Sequence, residues 1–246
     1  MGIRNIKIGM AFCGTAYHGF QRQNNSVAVQ NVVEDVLSRL TAQRVQINGC
    51  SRTDAGVHAR EFYFNFHTDS AIPCENIIRG GNSLLPDDIV FFSCEDMDMD
   101  FHARYSCRGK EYLYRIINRR VRDPFLAGKA LFYDRPLDAG LLSHEAKCME
   151  GTQDFTSFCG ALGMKEDCTR TVYSCAVVRD GDEVDLIISG DGFLYNMVRI
   201  ITGTLLEVNE GRIPRGDIPR IIAARDRTLA GRTVPPDGLY LNRVMY

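Results

Sequence analysis

The 246-residue chain reads as an α+β protein made of two ferredoxin-like, RRM-like halves, and three observations predict this. Apolar residues alternate with polar ones in several short segments. Helix-period segments fall between those strands, two in each half. The resulting order, β-α-β-β-α-β, comes twice along the chain without any repeat of sequence.

In the first half, Asn5–Phe12 alternates, with Ile6, Ile8, Met10 and Phe12 on one face. Val29–Leu40 carries Val29, Val32, Val33, Val36, Leu37 and Leu40 at helical spacing, and Val45–Gly49 is a short strand candidate. Phe62, Phe64 and Phe66 alternate with Tyr63, Asn65 and His67, a clear strand pattern. Glu75–Leu84 is a weaker helix closed by Pro86, and Ile89–Ser93 is a further strand. In the second half, Lys110–Asn118 is a strand and Asp138–Met149 a helix. Thr171–Arg179 and Glu183–Ser189 form a hairpin about Asp180–Gly181–Asp182. Asn196–Val208 is an apolar helix and Leu239–Met245 a closing strand. The boundary is drawn near Met97–Phe101, giving halves 1–99 and 100–246. It lies in the acidic run Glu95–Asp100, read as a solvated loop because alternating methionines break up any octahedral cage. Two antiparallel sheets with helices on one face would flank a central cleft, a common place for a substrate.

Composition narrows the function classes. Hydrophobic residues make up 45% and charged residues 24%, a globular balance that argues against disorder. No apolar run approaches the roughly 18 to 20 residues that span a bilayer. The opening stretch, interrupted by Arg4, Lys7 and glycines, lacks a signal-peptide apolar core, so a cytoplasmic protein is expected. Nine cysteines stand without any C-x-x-C pair, which points to free thiols in a reducing compartment and no structural metal. Five histidines show no H-x-x-x-H pair either. Net charge is −2, yet of 29 basic residues only five are lysines, leaving 24 arginines. Arginine bonds phosphate bidentately and stacks on bases, so a basic cleft on an acidic body is compatible with nucleic acid.

The densest polar cluster is Ser51–Ala59, SRTDAGVHA, between two strands of the first half. An isolated Asp-x-Gly is more often only a turn. Here Arg52 stands two residues from Asp54 and can keep a carboxylate ionised, while Gly56 lets backbone come close to a ligand. The string RTDAGVHA resembles the signature of TruA-type pseudouridine synthases. Further fragments are similar to that family in the same order: Phe12–Gln23, Asn82–Ile89, Phe101–Ile116, Gly151–Phe158, Gly192–Gly203 and Pro235–Leu241.

The resemblance implies Asp54 as nucleophile and Tyr112 as the tyrosine that stacks on the target uracil and serves proton transfer. It implies Arg199 as the arginine that pairs with the aspartate, and Arg52 as an arginine that flips the base and holds RNA. It also implies tRNA as substrate, positions 38, 39 and 40 of the anticodon stem-loop as targets, and a homodimer. No cofactor is expected, because the reaction moves a glycosidic bond from N1 to C5 of one uracil, and no nucleotide-binding or metal-ligand spacing is present. From the residues alone, Tyr112 and Tyr114 on one strand face read as core residues, and an arginine amid Met197, Val198, Ile200 and Ile201 needs an acceptor, for which Asp54 is the candidate. His58 and His102 are read as orienting loops or touching RNA. Gly190-x-Gly192 before a helix is a weak phosphate-binding pattern. Phe20, Cys13 and Glu61–Phe62 depart from the family pattern and bear on which uridines are accepted. Two rivals are a non-catalytic RNA-binding protein on two RRM-like sheets and a carboxylate glycosidase, which would need a second acid beside Asp54.

Overall fold

The computed structural model describes residues 2–23, 26–163 and 167–246, in two compact units. The first contains β1 (Arg4–Phe12), α1 (Val29–Thr41), β2 (Asn48–Gly49), β3 (His58–Thr68), α2 (Cys74–Leu84) and β4 (Ile89–Met97). Strand β1 lies between β4 and β3, antiparallel to both, and β2 pairs with β3. Alternation in β3 sets the core: Phe62, Phe64 and Phe66 are all fully buried on one face. Helix α1 turns Val29, Val33, Val36 and Leu37 inward.

The opposite face of β3 is covered as well. Asn65 is buried and satisfied: its amide donates to Asn5 Oδ1 at 2.9 Å, and its oxygen accepts from Ala103 N at 2.9 Å. Asn5 in turn donates to the carbonyls of Asp98 and Phe101. The acidic run therefore differs from its reading as a loop. Glu95, Asp96 and Met97 belong to β4 and pair with Lys7, Ile6 and Asn5 of β1. Lys7 and Arg4 neutralise Glu95 and Asp96 at 3.0 and 2.7 Å, which lets charged residues extend the strand.

The second unit contains β5 (Gly109–Asn118), β6 (Leu131–Tyr133), α3 (Ala139–Ala146), β7 (Gly151–Asp154), β8 (Thr169–Asp180), β9 (Glu183–Gly190), α4 (Met197–Asn209) and α5 (Ile218–Ala224). Its strand order is β5-β9-β8-β7, with β6 beside the end of β5. Gly181 closes the β8–β9 hairpin at φ +57°, the left-handed conformation that favours glycine. Most of α4 is buried around its whole circumference, as its largely apolar sequence requires. Strands β6 and β7, of three and four residues, and α5 have no counterpart in the pattern reading.

The chain enters the second unit at Gly109, and its last strand, β10 (Leu239–Met245), returns to the first from Tyr240 onward. It pairs with β3 in parallel, Tyr240 opposite His58 and Leu241 opposite Ala59. The units thus divide the chain differently from the boundary drawn in the sequence. None of the nine cysteines is in a disulfide, and burial pushes the Cys175 thiol up to about 12, so it acts as a small apolar side chain. Among the described residues no helix is long and apolar enough to cross a membrane, and no three His, Cys, Asp or Glu side chains gather as a metal cage would need.

Candidate active site

The loop Arg52–Val57 joins β2 to β3 and presents Asp54 half-buried, between buried Thr53 and exposed Ala55. Gly56, at φ +79°, makes the turn, and Val57 N–H donates to the Asp54 carbonyl at 3.1 Å. What fixes the loop is the segment after β1. Phe20 N–H donates to the Thr53 carbonyl and Gly56 N–H to the Tyr17 carbonyl, both at 3.1 Å. Two glycines permit that approach. A Cβ on Gly14 would sit 1.9 Å from the Val57 carbonyl oxygen, and one on Gly19, at φ +87°, 2.5 Å from that of Thr53. The same segment is anchored on its other side, where the Gly19 and Phe20 carbonyls accept from Val29 and Gln30 at the start of α1. Tyr17 adds a side-chain tie, donating its hydroxyl to Asp88 at 2.6 Å, while Cys13 N–H bonds the Asp88 carbonyl. The Phe12–Gln23, Ser51–Ala59 and Asn82–Ile89 segments are therefore one bonded assembly, with Asp54 on its central loop.

His58 is buried within this assembly. Its Nδ1 accepts the Gly14 N–H at 3.1 Å and its ring stacks on Tyr240 at 4.5 Å. A nitrogen that accepts carries no proton, so the hydrogen-bond pattern assigns the neutral Nε2–H tautomer. His102 acts likewise in its own turn, Nδ1 accepting from Arg104 N–H at 3.1 Å. Arg52 is exposed on the loop.

In the second unit Tyr112 and Tyr114 stand on one face of β5, opposite Ile188 and Leu186 of β9. Both are buried. The Phe193 ring meets Tyr112 edge-on at 5.1 Å, fixing the plane of the tyrosine. Tyr114 donates its hydroxyl to the Pro235 carbonyl at 2.7 Å. Burial pushes that hydroxyl far above the usual tyrosine range, with the nearby Arg199 charge pulling it back, so Tyr114 stays protonated as a donor. Arg199, half-buried near the start of α4, donates Nε to the Val234 carbonyl and Nη1 to Asn196 Oδ1, each at 2.7 Å. Asn196 takes φ +61° just before the helix, a conformation asparagine tolerates better than most residues. Sequence reasoning missed Phe193, Asn196, Val234, Tyr17 and the paired glycines. Their blocks were visible, but no local pattern says which blocks touch.

Gly190 and the departures from the family pattern also receive structural reasons. A Cβ on Gly190 would lie 2.7 Å from the Thr171 carbonyl oxygen, so close strand packing requires glycine there. Phe20 packs against Phe62, the rings tilted by 32° with centroids 4.3 Å apart, over Gly49, and both are buried. Both departures are accounted for by core packing. Cys13 sits beside Thr15, and Glu61 accepts from Val244 N–H at 3.5 Å.

Comparison with known proteins follows the same blocks. A family model described as tRNA pseudouridine synthase matches residues 9–106 and 146–246. A tRNA pseudouridine synthase A of Clostridium acetobutylicum is 43% identical over 244 residues, 99% of this chain and all of that protein. Proteins of the same name from Acetivibrio thermocellus and Brevibacillus brevis are 42% and 43% identical over the same share of each chain. Matched along nearly its whole length by relatives of equal extent, the chain belongs to the tRNA pseudouridine synthase family.

Proposed function

We propose that the chain isomerises uridine to pseudouridine at positions 38, 39 and 40 of the tRNA anticodon stem-loop, with Asp54 as nucleophile. Family membership makes it an isomerase acting on uridine in tRNA. The observation that supports Asp54 is its loop. A half-buried carboxylate stands on a turn held by backbone hydrogen bonds from two sides, with glycines where side chains would push it away. Nucleophiles need that rigidity, because an error of about 1 Å in placement costs on the order of a hundredfold in rate.

In the reaction the N1–C1′ bond breaks, the uracil turns, C5 bonds to C1′, and the proton on C5 leaves while N1 gains one. The Asp54 carboxylate attacks the sugar or the base in the course of that exchange. Tyr112 supplies a flat aromatic surface to replace the stacking lost when the uridine leaves its helix, and a hydroxyl suited to the C5 proton. Arg199 is the arginine that the family resemblance pairs with the catalytic aspartate, and its Nε and Nη1 are held by Val234 and Asn196. Arg52 holds the phosphate beside the displaced nucleotide. A homodimer engaging one tRNA, in the cytoplasm, completes this reading.

Tritium release from tRNA labelled with [5-³H]uridine tests it. Wild type is expected to release tritium without added cofactor. Asp54→Asn, isosteric and uncharged, is expected to bind tRNA with wild-type affinity and lose turnover by about 10⁴-fold or more. Turnover retained by Asp54→Asn overturns the assignment of the nucleophile. Mapping the product by reverse-transcription stops after carbodiimide treatment reads out the positions directly.

A further inference from the structure

We infer that the loop 119–129, between β5 and β6, is a second tRNA-binding element that stacks a base on Phe125 and holds the adjoining phosphates with Arg120 and Arg122. The inference rests on tRNA being the substrate. Four cations, Arg119, Arg120, Arg122 and Lys129, stand in eleven residues against the single carboxylate of Asp123, on a chain whose net charge is −2. The loop also carries two of the most exposed large apolar side chains among the described residues, Phe125 at 85% and Val121 at 74%. Among the described residues no packing accounts for a phenylalanine held almost wholly in water.

The loop is built to hold that ring out. Pro124 and the Asp123 side chain, which accepts the Phe125 N–H at 3.0 Å, start a single 3-10 turn over Pro124–Leu126. Leu126 N–H and Lys129 N–H continue it with bonds to the Asp123 and Leu126 carbonyls at 3.2 and 3.0 Å. Arg119 locks the base of the loop, its Nε donating to the Val121 carbonyl at 2.7 Å and its guanidinium pairing with Asp123 at 3.3 Å. With Asp123 committed in this way, the positive charge of Arg120 and Arg122 is left without local neutralisation by that carboxylate. A rigid aromatic flanked by arginines suits unpaired RNA: the ring replaces a neighbouring base and the guanidinium groups take phosphates. The excess of positive charge favours a polyanion such as tRNA over a second copy of a chain whose net charge is only −2.

The test compares Phe125→Ala and the double variant Arg120→Glu/Arg122→Glu with wild type, using unmodified full-length tRNA in equilibrium binding across a salt series. Thermal midpoints near wild type certify the fold, as these side chains lie outside the core. Phe125→Ala is expected to raise Kd about 5-fold or more at every salt concentration, with Phe125→Tyr restoring it. The charge reversal is expected to raise Kd by at least about 10-fold. It should also flatten the dependence of log Kd on log salt by about one for each phosphate that the loop no longer neutralises. Binding within about twofold of wild type in both variants overturns the inference. So does a fall in affinity that sedimentation traces to dissociation into monomers, since the loop would then join copies of the chain. Absence of tRNA binding by wild type would instead count against the substrate.

Discussion

At the residue scale, the side chains singled out by motif are distinguished by how their orientation is fixed. Arg199 illustrates this. Two of its N–H groups end on a backbone carbonyl and an asparagine oxygen at 2.7 Å, so its guanidinium plane is set by the residue before α4 and the segment that follows the helix. A lysine at that position keeps the charge but cannot span both acceptors, because an ammonium on a flexible stem has no fork. Arg199→Lys is accordingly expected to leave tRNA affinity near wild type and to lower the single-turnover rate of tritium release by roughly a hundredfold, the cost of a misplaced group. A rate within about threefold of wild type would show that charge alone suffices. Arg199 itself was visible in the sequence as a lone cation in an apolar helix. Its two acceptors were not, since Val234 is 35 residues away and contributes only a main-chain oxygen.

At the scale of elements, the strands and long helices were legible because one face of each is buried. Alternation in β1 and β3, and the apolar periods of α1 and α4, mark the core directly. Three- and four-residue strands such as β6 and β7 are shorter than any period that could reveal them. Nor does any periodicity announce that the turn after β1 clamps the Asp54 loop, since that approach depends on glycines far along the chain from their neighbours in space. Gly14 tests the clamp. Its missing Cβ would lie 1.9 Å from the Val57 carbonyl oxygen and 2.5 Å from the carbonyl carbon, both backbone atoms that cannot rotate aside. Gly14→Ala must displace either the turn or the loop, and strain of this kind costs about 1 to 3 kcal/mol. The expected result is a lowered thermal midpoint together with a roughly hundredfold loss of rate per folded molecule, measured well below that midpoint. Loss of stability with full activity would mean that the loop does not need this clamp.

At the scale of the whole molecule, the chain's end completes a unit that its beginning starts. Alternation identifies Leu239–Met245 as a strand but cannot say which edge it joins, because pairing partners are a long-range choice. That is why a boundary drawn in the sequence assigned it to the second half, whereas its residues from Tyr240 onward cluster with the first. The strand does more there than fill an edge. Tyr240 stacks on His58, whose Nδ1 holds the Gly14 turn, so the strand reaches the Asp54 loop through one intervening ring. Leu241 is fully buried, Asn242 accepts from Arg60, Tyr246 donates to the Ala103 carbonyl at 2.9 Å, and Lys7 lies over the Tyr246 ring at 4.7 Å. Losing the buried Leu241 and Val244 side chains alone forfeits about 3 to 6 kcal/mol, comparable to the whole stability of many domains. A chain ending at Leu239 is therefore expected to lose protection across Met1–Arg108, with proteolysis at Arg52 and Arg60 and fast amide exchange along β3, while β8 and β9 stay protected. Exchange that leaves β3 as slow as in the full chain would show that the first unit stands without its final strand, and that His58 holds the Gly14 turn without the Tyr240 ring.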